Sequence, residues 1–242
     1  MMRRKAEKDF AVKARLKRWL LPRGSSPRVI RSGLLRGLRM EMDLAHRSQR
    51  WLGLEERELD GPFQELSRDI QTAVDVGASD GRYTLYFLAK TPARKVLAFE
   101  PSPENLSRLR GNLERNRFGS DPRLELVPKF VGIASGDACV SLDTFLESIT
   151  PPCLVKVDID GGEVALLEGA PRLLRLPEVR WIIEVHSNEL GQRCLEILRS
   201  AGYHSIVVRN AWWRVFLPEL RPCELNHWLV AAPAGPPHFG KP

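Results

Sequence analysis

Along these 242 residues, the side chains suited to chemistry sit where apolar runs end. Val74-Asp75-Val76 leads into Gly77-Ala78-Ser79-Asp80-Gly81, after which Arg82-Tyr83-Thr84-Leu85 opens a helical pattern. Glycines at both ends of such a turn allow backbone geometry closed to other residues and let a ligand approach the main chain. Lys95-Val96-Leu97-Ala98-Phe99 ends in Glu100, 25 residues after Asp75, the offset at which α/β folds grip ribose hydroxyls. A carboxylate can accept two hydrogen bonds from a vicinal diol, and Pro101-Ser102-Pro103 fixes the turn that aims it. Asn105 follows within reach, as a helix cap or an adenosine contact. Farther on, Asp158 and Asp160 close the run Val155-Lys156-Val157, and Glu184 and His186 close Trp181-Ile182-Ile183. An imidazole that titrates near neutrality is the natural general base for an attacking hydroxyl. Glu184 shares its strand face by alternation and could orient that imidazole or hold the acceptor; Lys156 likewise shares the face of Asp158 and could pair with it.

Electrostatics narrows the ligand. A pyrophosphate favours a G-x-G-x-x-G turn with uncharged residues at the helix entrance, whereas this turn is G-x-x-x-G and carries Asp80 there, beside Asp75. Two carboxylates repel a pyrophosphate and suit a cationic ligand. Asp158, Asp160, Glu184 and His186 could together hold a divalent cation, but no ligand spacing demands one, and none is expected.

Five blocks in this order resemble the FkbM family of S-adenosylmethionine-dependent methyltransferases: Asp75 to Leu85, Ala98 to Asn105, Ser141-Leu142-Asp143-Thr144-Phe145-Leu146, Val155 to Glu163, and Ile182 to His186. The resemblance spans roughly residues 50–232. It implies a class I, Rossmann-like methyltransferase whose cofactor is S-adenosylmethionine. Mapped onto this chain, the cofactor residues are Asp75, Gly77, Ala78, Ser79, Gly81, Tyr83, Thr84, Glu100, Pro101, Ser102, Asn105 and Asp158; the catalytic candidates are His186, Asp158, Asp160 and Glu184. The family block Asp-Val-Glu-Gly-Ala-Glu reads here Asp158-Ile159-Asp160-Gly161-Gly162-Glu163, with a shorter acid at its third position. Segment 132–140 is shorter than relatives commonly have, so an acceptor pocket would be more open, or covered by residues 28–66 or by Trp212 and Trp213.

The elements that must position these groups alternate. Strands are expected at 72–77, 95–100, 124–131, 153–159, 179–186, 204–209 and 225–231, with helices at 82–90, 103–117, 162–175 and 188–201 and a helical turn at 141–148. That pattern predicts a doubly wound, mostly parallel seven-stranded sheet with right-handed crossovers, and the resemblance makes its last strand antiparallel. Ligands in such sheets lie beyond the strands' carboxyl ends, where the candidates fall. The domain reading is a basic amphipathic helix and linker at 1–27, a helical lead-in covering the cleft at 28–70, a methyltransferase domain at 71–232 and a Pro/Gly-rich tail at 233–242.

The formal net charge of +7 is uneven: residues 1–50 carry +11 and the remainder −4. A positive field confined to one arm argues against a nucleic-acid partner and leaves open contact of that arm with an anionic membrane or acidic partner. Cys139, Cys153, Cys194 and Cys223 form no CxxC pair and are expected as free thiols in a reducing cytoplasm. No secretion signal and no apolar run of about 18–20 residues appears. The expected activity is O-methylation of a hydroxyl on a small molecule or glycan; the alternatives are an RNA methyltransferase and a non-catalytic cofactor-binding scaffold.

Overall fold

The computed structural model describes residues 24–134, 136–211 and 227–233. The arm at 1–21, Trp212, Trp213, Cys223 and the tail beyond 233 lie outside the described residues.

Seven strands form the central sheet: β3 (Thr72–Val76), β4 (Lys95–Phe99), β5 (Leu124–Val127), β8 (Cys153–Val157), β9 (Val179–Val185), β10 (His204–Val208) and β11 (His227–Ala232). Their spatial order is β10-β11-β9-β8-β3-β4-β5. β11 runs antiparallel to both its neighbours, and the pairs β3/β4, β3/β8, β4/β5 and β8/β9 are parallel. The expected doubly wound sheet with an antiparallel last strand is what the chain forms.

Helices cover both faces, so the central strands are apolar throughout rather than alternating with polar residues. Val74, Val76, Val155 and Val157 point into one core; Ala73, Ala98 and Leu154 point into the other. By the same alternation Asp75 and Lys156, which are register partners, share the second face. Helix α3 (Arg82–Lys90) follows β3, and α4 (Pro103–Arg115) follows β4 with Ser102 as its N-cap and a proline in its first turn, where a missing N–H costs nothing. α5 (Glu163–Glu168) follows β8, and α6 (Asn188–Ser200), capped by Ser187, follows β9.

Three expectations change. The lead-in expected to be helical at 28–70 is not helical throughout: a hairpin of β1 (Ser25–Val29) and β2 (Arg39–Asp43) precedes α1 (Leu44–Leu52) and α2 (Asp60–Leu66). Gly33 and Gly37, at φ of 72° and 88°, turn the chain, and Met40 and Met42 enter the core on alternate positions, a strand period. Asn116, the C-cap of α4, and Asn112 within it accept the N–H groups of Arg39 and Glu41, at 2.9 and 2.8 Å, fastening the hairpin to the domain. The strand expected at 124–131 divides into β5 and a two-residue β6 (Phe130–Val131), which pairs with β7 (Cys139–Val140). The helix expected at 162–175 stops at Glu168, ahead of Pro171, which has no N–H to continue it, while Gly169 packs so close to Gly132 that a Cβ there would lie 2.3 Å from its carbonyl oxygen; a short 3-10 turn, Leu173–Arg175, follows.

Among the described residues Cys139, Cys153 and Cys194 are free thiols, and no helix is long and apolar enough to cross a membrane.

Candidate active site

The carboxyl ends of β3, β4, β8 and β9 meet along one edge of the sheet, and the candidate residues gather there in two groups. The first surrounds the turn after β3. Gly77, Ser79 and Gly81 all take positive φ, at 75°, 50° and 89°. At Gly77 the requirement is steric as well: a Cβ would lie 1.9 Å from the carbonyl oxygen of Asp158, so β8 can follow β3 this closely only beside glycine. The N–H groups of Gly77 and Ala78 bond to the Phe99 carbonyl at 3.0 and 2.9 Å, stitching the turn to β4. Glu100, buried beside it, accepts the Ser79 N–H at 2.7 Å and the Ser102 N–H at 2.9 Å, while the Asn105 amide lies 3.4 Å away. Asn105 therefore steadies this carboxylate in addition to donating its backbone N–H to the capping Ser102 Oγ.

Other acids of this half face inward. Asp75 is fully buried; its Oδ2 accepts the Thr84 hydroxyl at 2.7 Å, and its Oδ1 makes no hydrogen bond but lies 3.4 Å from the Lys156 ammonium. Tyr83 is buried too, stacked on Phe63 at 4.4 Å with its hydroxyl donating to Glu56. Asp75, Tyr83 and Thr84 thus lie beneath the turn rather than on its open side. Asp80 is paired with Arg50, whose guanidinium also binds Glu55, and Arg82 bonds Glu56 at 2.6 Å. The charge that the sequence placed at the helix entrance is neutralised by a lead-in arginine, so the electrostatic case for a cationic ligand passes to the second group.

That group stands at the ends of β8 and β9. Lys156 donates to the Gly77 carbonyl at 3.1 Å and lies 3.6 Å from Asp158. Burial works against its charge, yet Asp75 and Asp158 outweigh burial and hold the ammonium above the ordinary lysine value. His186 Nδ1 sits 2.6 Å from Glu163 Oε1; Nε2 faces Asp160 at 3.1 Å and Asp158 at 3.7 Å. The bond to Glu163 raises its pKa to about 9, against burial and with help from Glu184 and Asp158. Burial, then repulsion from Asp158 and Glu56, pushes Glu184 up to about 8. Asp158, Glu184 and His186 bring ligand-type atoms within 4.8 Å of one another, a grouping with room for a small cation, although Lys156 already sets a positive charge against it.

Sequence reasoning assigned no role to Glu163 or Glu56. Glu163 was visible as the last acid of the Asp158–Glu163 block, at the N-terminus of α5. Glu56 had no such signal, since only the folding of the lead-in brings it to Tyr83.

Residues 129–205 match the family model described as the methyltransferase FkbM domain. That segment of the chain is similar to an FkbM methyltransferase domain. The matched segment holds the second group and not the turn or Glu100, and so is narrower than the resemblance read across 50–232. In fold the chain is similar to methyltransferase FkbM from Methylobacillus flagellatus KT, with TM-score 0.51 and 20% identity over 66% of this chain and 43% of that one. It thus spans less than half the length of that family member. It is also similar to an rRNA methylase from Streptococcus thermophilus, with TM-score 0.51 and 13% identity over 73% and 96% of the two chains. A precorrin-6y C5,15-methyltransferase from Geobacter metallireducens GS-15 gives TM-score 0.50 and 15% identity over 73% and 86%. No curated protein matches the chain. The neighbours' names carry different acceptors, so the shared fold does not select one.

Proposed function

We propose that this methyltransferase uses S-adenosylmethionine to methylate a hydroxyl on a small molecule or glycan. The observation that carries the reading is Glu100 bonded through the Ser79 N–H into the β3 turn, which sets a carboxylate beside an open backbone turn in the way a nucleoside site requires. The residues present fit the donor: the Gly77–Gly81 turn has no Cβ at its tightest points, Glu100 retains lone pairs for a ribose diol, Asp158 faces the same edge, and Glu184, held protonated near neutrality, ionises more readily beside a cationic ligand. Gly77, Ala78, Ser79, Gly81, Glu100, Pro101, Ser102, Asn105 and Asp158 would hold it, with Asp75, Tyr83 and Thr84 supporting the turn from below.

When bound, S-adenosylmethionine supplies a methyl group on a positively charged sulfur, which leaves as a neutral thioether with the electron pair of the broken carbon–sulfur bond. The chain's own work is alignment of the acceptor oxygen and removal of its proton. His186 takes that proton on Nε2. A cationic ligand nearby lowers the pKa of the imidazole and favours its neutral form. Asp158, Asp160 and Glu184 orient the acceptor hydroxyl.

Calorimetric titration with S-adenosylmethionine and its demethylated product, followed by transfer of labelled methyl into fractionated cell extract, tests the reading. Binding of both nucleosides and label in a hydroxyl-bearing product are expected. Uptake of a dinucleotide with no heat from either nucleoside would overturn it.

A further inference from the structure

Among the described residues, Glu163 is the one carboxylate around His186 that is wholly buried, and it occupies the first turn of α5 with its Oε2 lacking any hydrogen-bond partner. Its Oε1 meets Nδ1 at 2.6 Å, while Asp160, with a side chain 97% exposed, and the one-third exposed Asp158 stand on the Nε2 side. A fixed acceptor on one ring nitrogen decides where the neutral imidazole keeps its proton, and a buried carboxylate cannot swing away to solvent. We propose that Glu163 is a positioning residue: it holds the proton of neutral His186 on Nδ1 and leaves the Nε2 lone pair facing the open side, as the atom that accepts the acceptor hydroxyl's proton.

This inference rests on the methyl-transfer reading for its purpose, but not for its evidence. In the step itself the O–H bond breaks and its proton passes to the Nε2 lone pair. Nδ1 keeps its own proton, bonded to Glu163, so the ring becomes an imidazolium between carboxylates. The groups facing His186 are Glu163 from α5, Asp158 and Asp160 from the segment after β8, and Glu184 from its own strand, with Lys156 set against Asp158. Of these, Glu163 makes the largest contribution to the histidine's raised pKa.

Long-range nitrogen–proton NMR of histidine-labelled protein, in a chelator-containing buffer, reads both the tautomer and the titration midpoint. His186→Asn identifies the resonance. In the native protein, His186 above its midpoint carries hydrogen on Nδ1, and the midpoint lies near 9. Glu163→Gln keeps the shape and removes the charge, and the midpoint then falls by about two units toward the ordinary histidine value. An Nε2–H tautomer in the native protein overturns the proposal, as does a midpoint unmoved in Glu163→Gln. If that variant does not fold, the native tautomer decides the matter alone. Nucleoside binding is measured separately on native protein: its absence would sink the methyl-transfer reading while leaving the NMR result on Glu163 intact.

Discussion

The two halves of the candidate site are built on opposite electrostatic plans. Around the β3 turn the charged and polar groups are largely answered within the chain: Glu100 by backbone N–H groups, Asp80 by Arg50, Asp75 by Thr84 and Lys156. At the ends of β8 and β9, Asp158, Asp160, Glu163 and Glu184 crowd one histidine and one lysine, and both Glu184 and His186 are displaced upward. A region satisfied by its own backbone is a rigid floor. A region whose acids repel one another holds unfavourable energy that a cationic ligand relieves.

Substitutions sharpen this contrast. Gly77→Ala has the largest expected effect, because the added methyl meets the Asp158 carbonyl and the backbone sits at φ 75°. Denaturant unfolding should show a loss of about 3 kcal/mol or more, with nucleoside binding lost by calorimetry. Equal stability to the native protein would mean that the floor is not rigid. Glu100→Gln should weaken nucleoside binding about 10- to 100-fold, the worth of hydrogen bonds to a charged acceptor.

In the second half the sign of the pH dependence is the test. Glu184 rises from 4.5 to about 8 and His186 from 6.5 to about 9, so the folded protein binds more protons than the unfolded chain between these values. The contribution of each group to stability is therefore complete below its unfolded pKa and is lost as pH rises through the folded one. Thermal unfolding followed across pH 5–9.5 should show Glu184→Gln removing the lower part of that loss and His186→Asn the upper part. Profiles parallel to that of the native protein would place both groups in ordinary surroundings. The smallest effect belongs to Asp160→Asn: at a side chain 97% exposed, it should leave the unfolding midpoint within a fraction of a degree.

The sheet was legible because its strands are buried on both faces and bounded by turn residues, a signal that survives in local sequence. The lead-in was not: Leu34, Leu35 and Leu38 mimic a helical face, and the hairpin exists through glycines at positive φ and amides on α4 about 75 residues away. The charges at the turn misled for a related reason. Asp75 and Asp80 look alike in sequence, but burial and Arg50 turn both away from a ligand.

Sequence alone determined the order of the seven sheet strands and the helices between them, the glycine turn, and the presence of Glu100, Asp158, Glu184 and His186 at strand ends, since periodicity and turn chemistry act over a few residues. Which of those groups remain available was decided only by tertiary structure, because burial and pairing depend on distant partners: Arg50 on Asp80, Lys156 on Asp75, and Glu163 on His186.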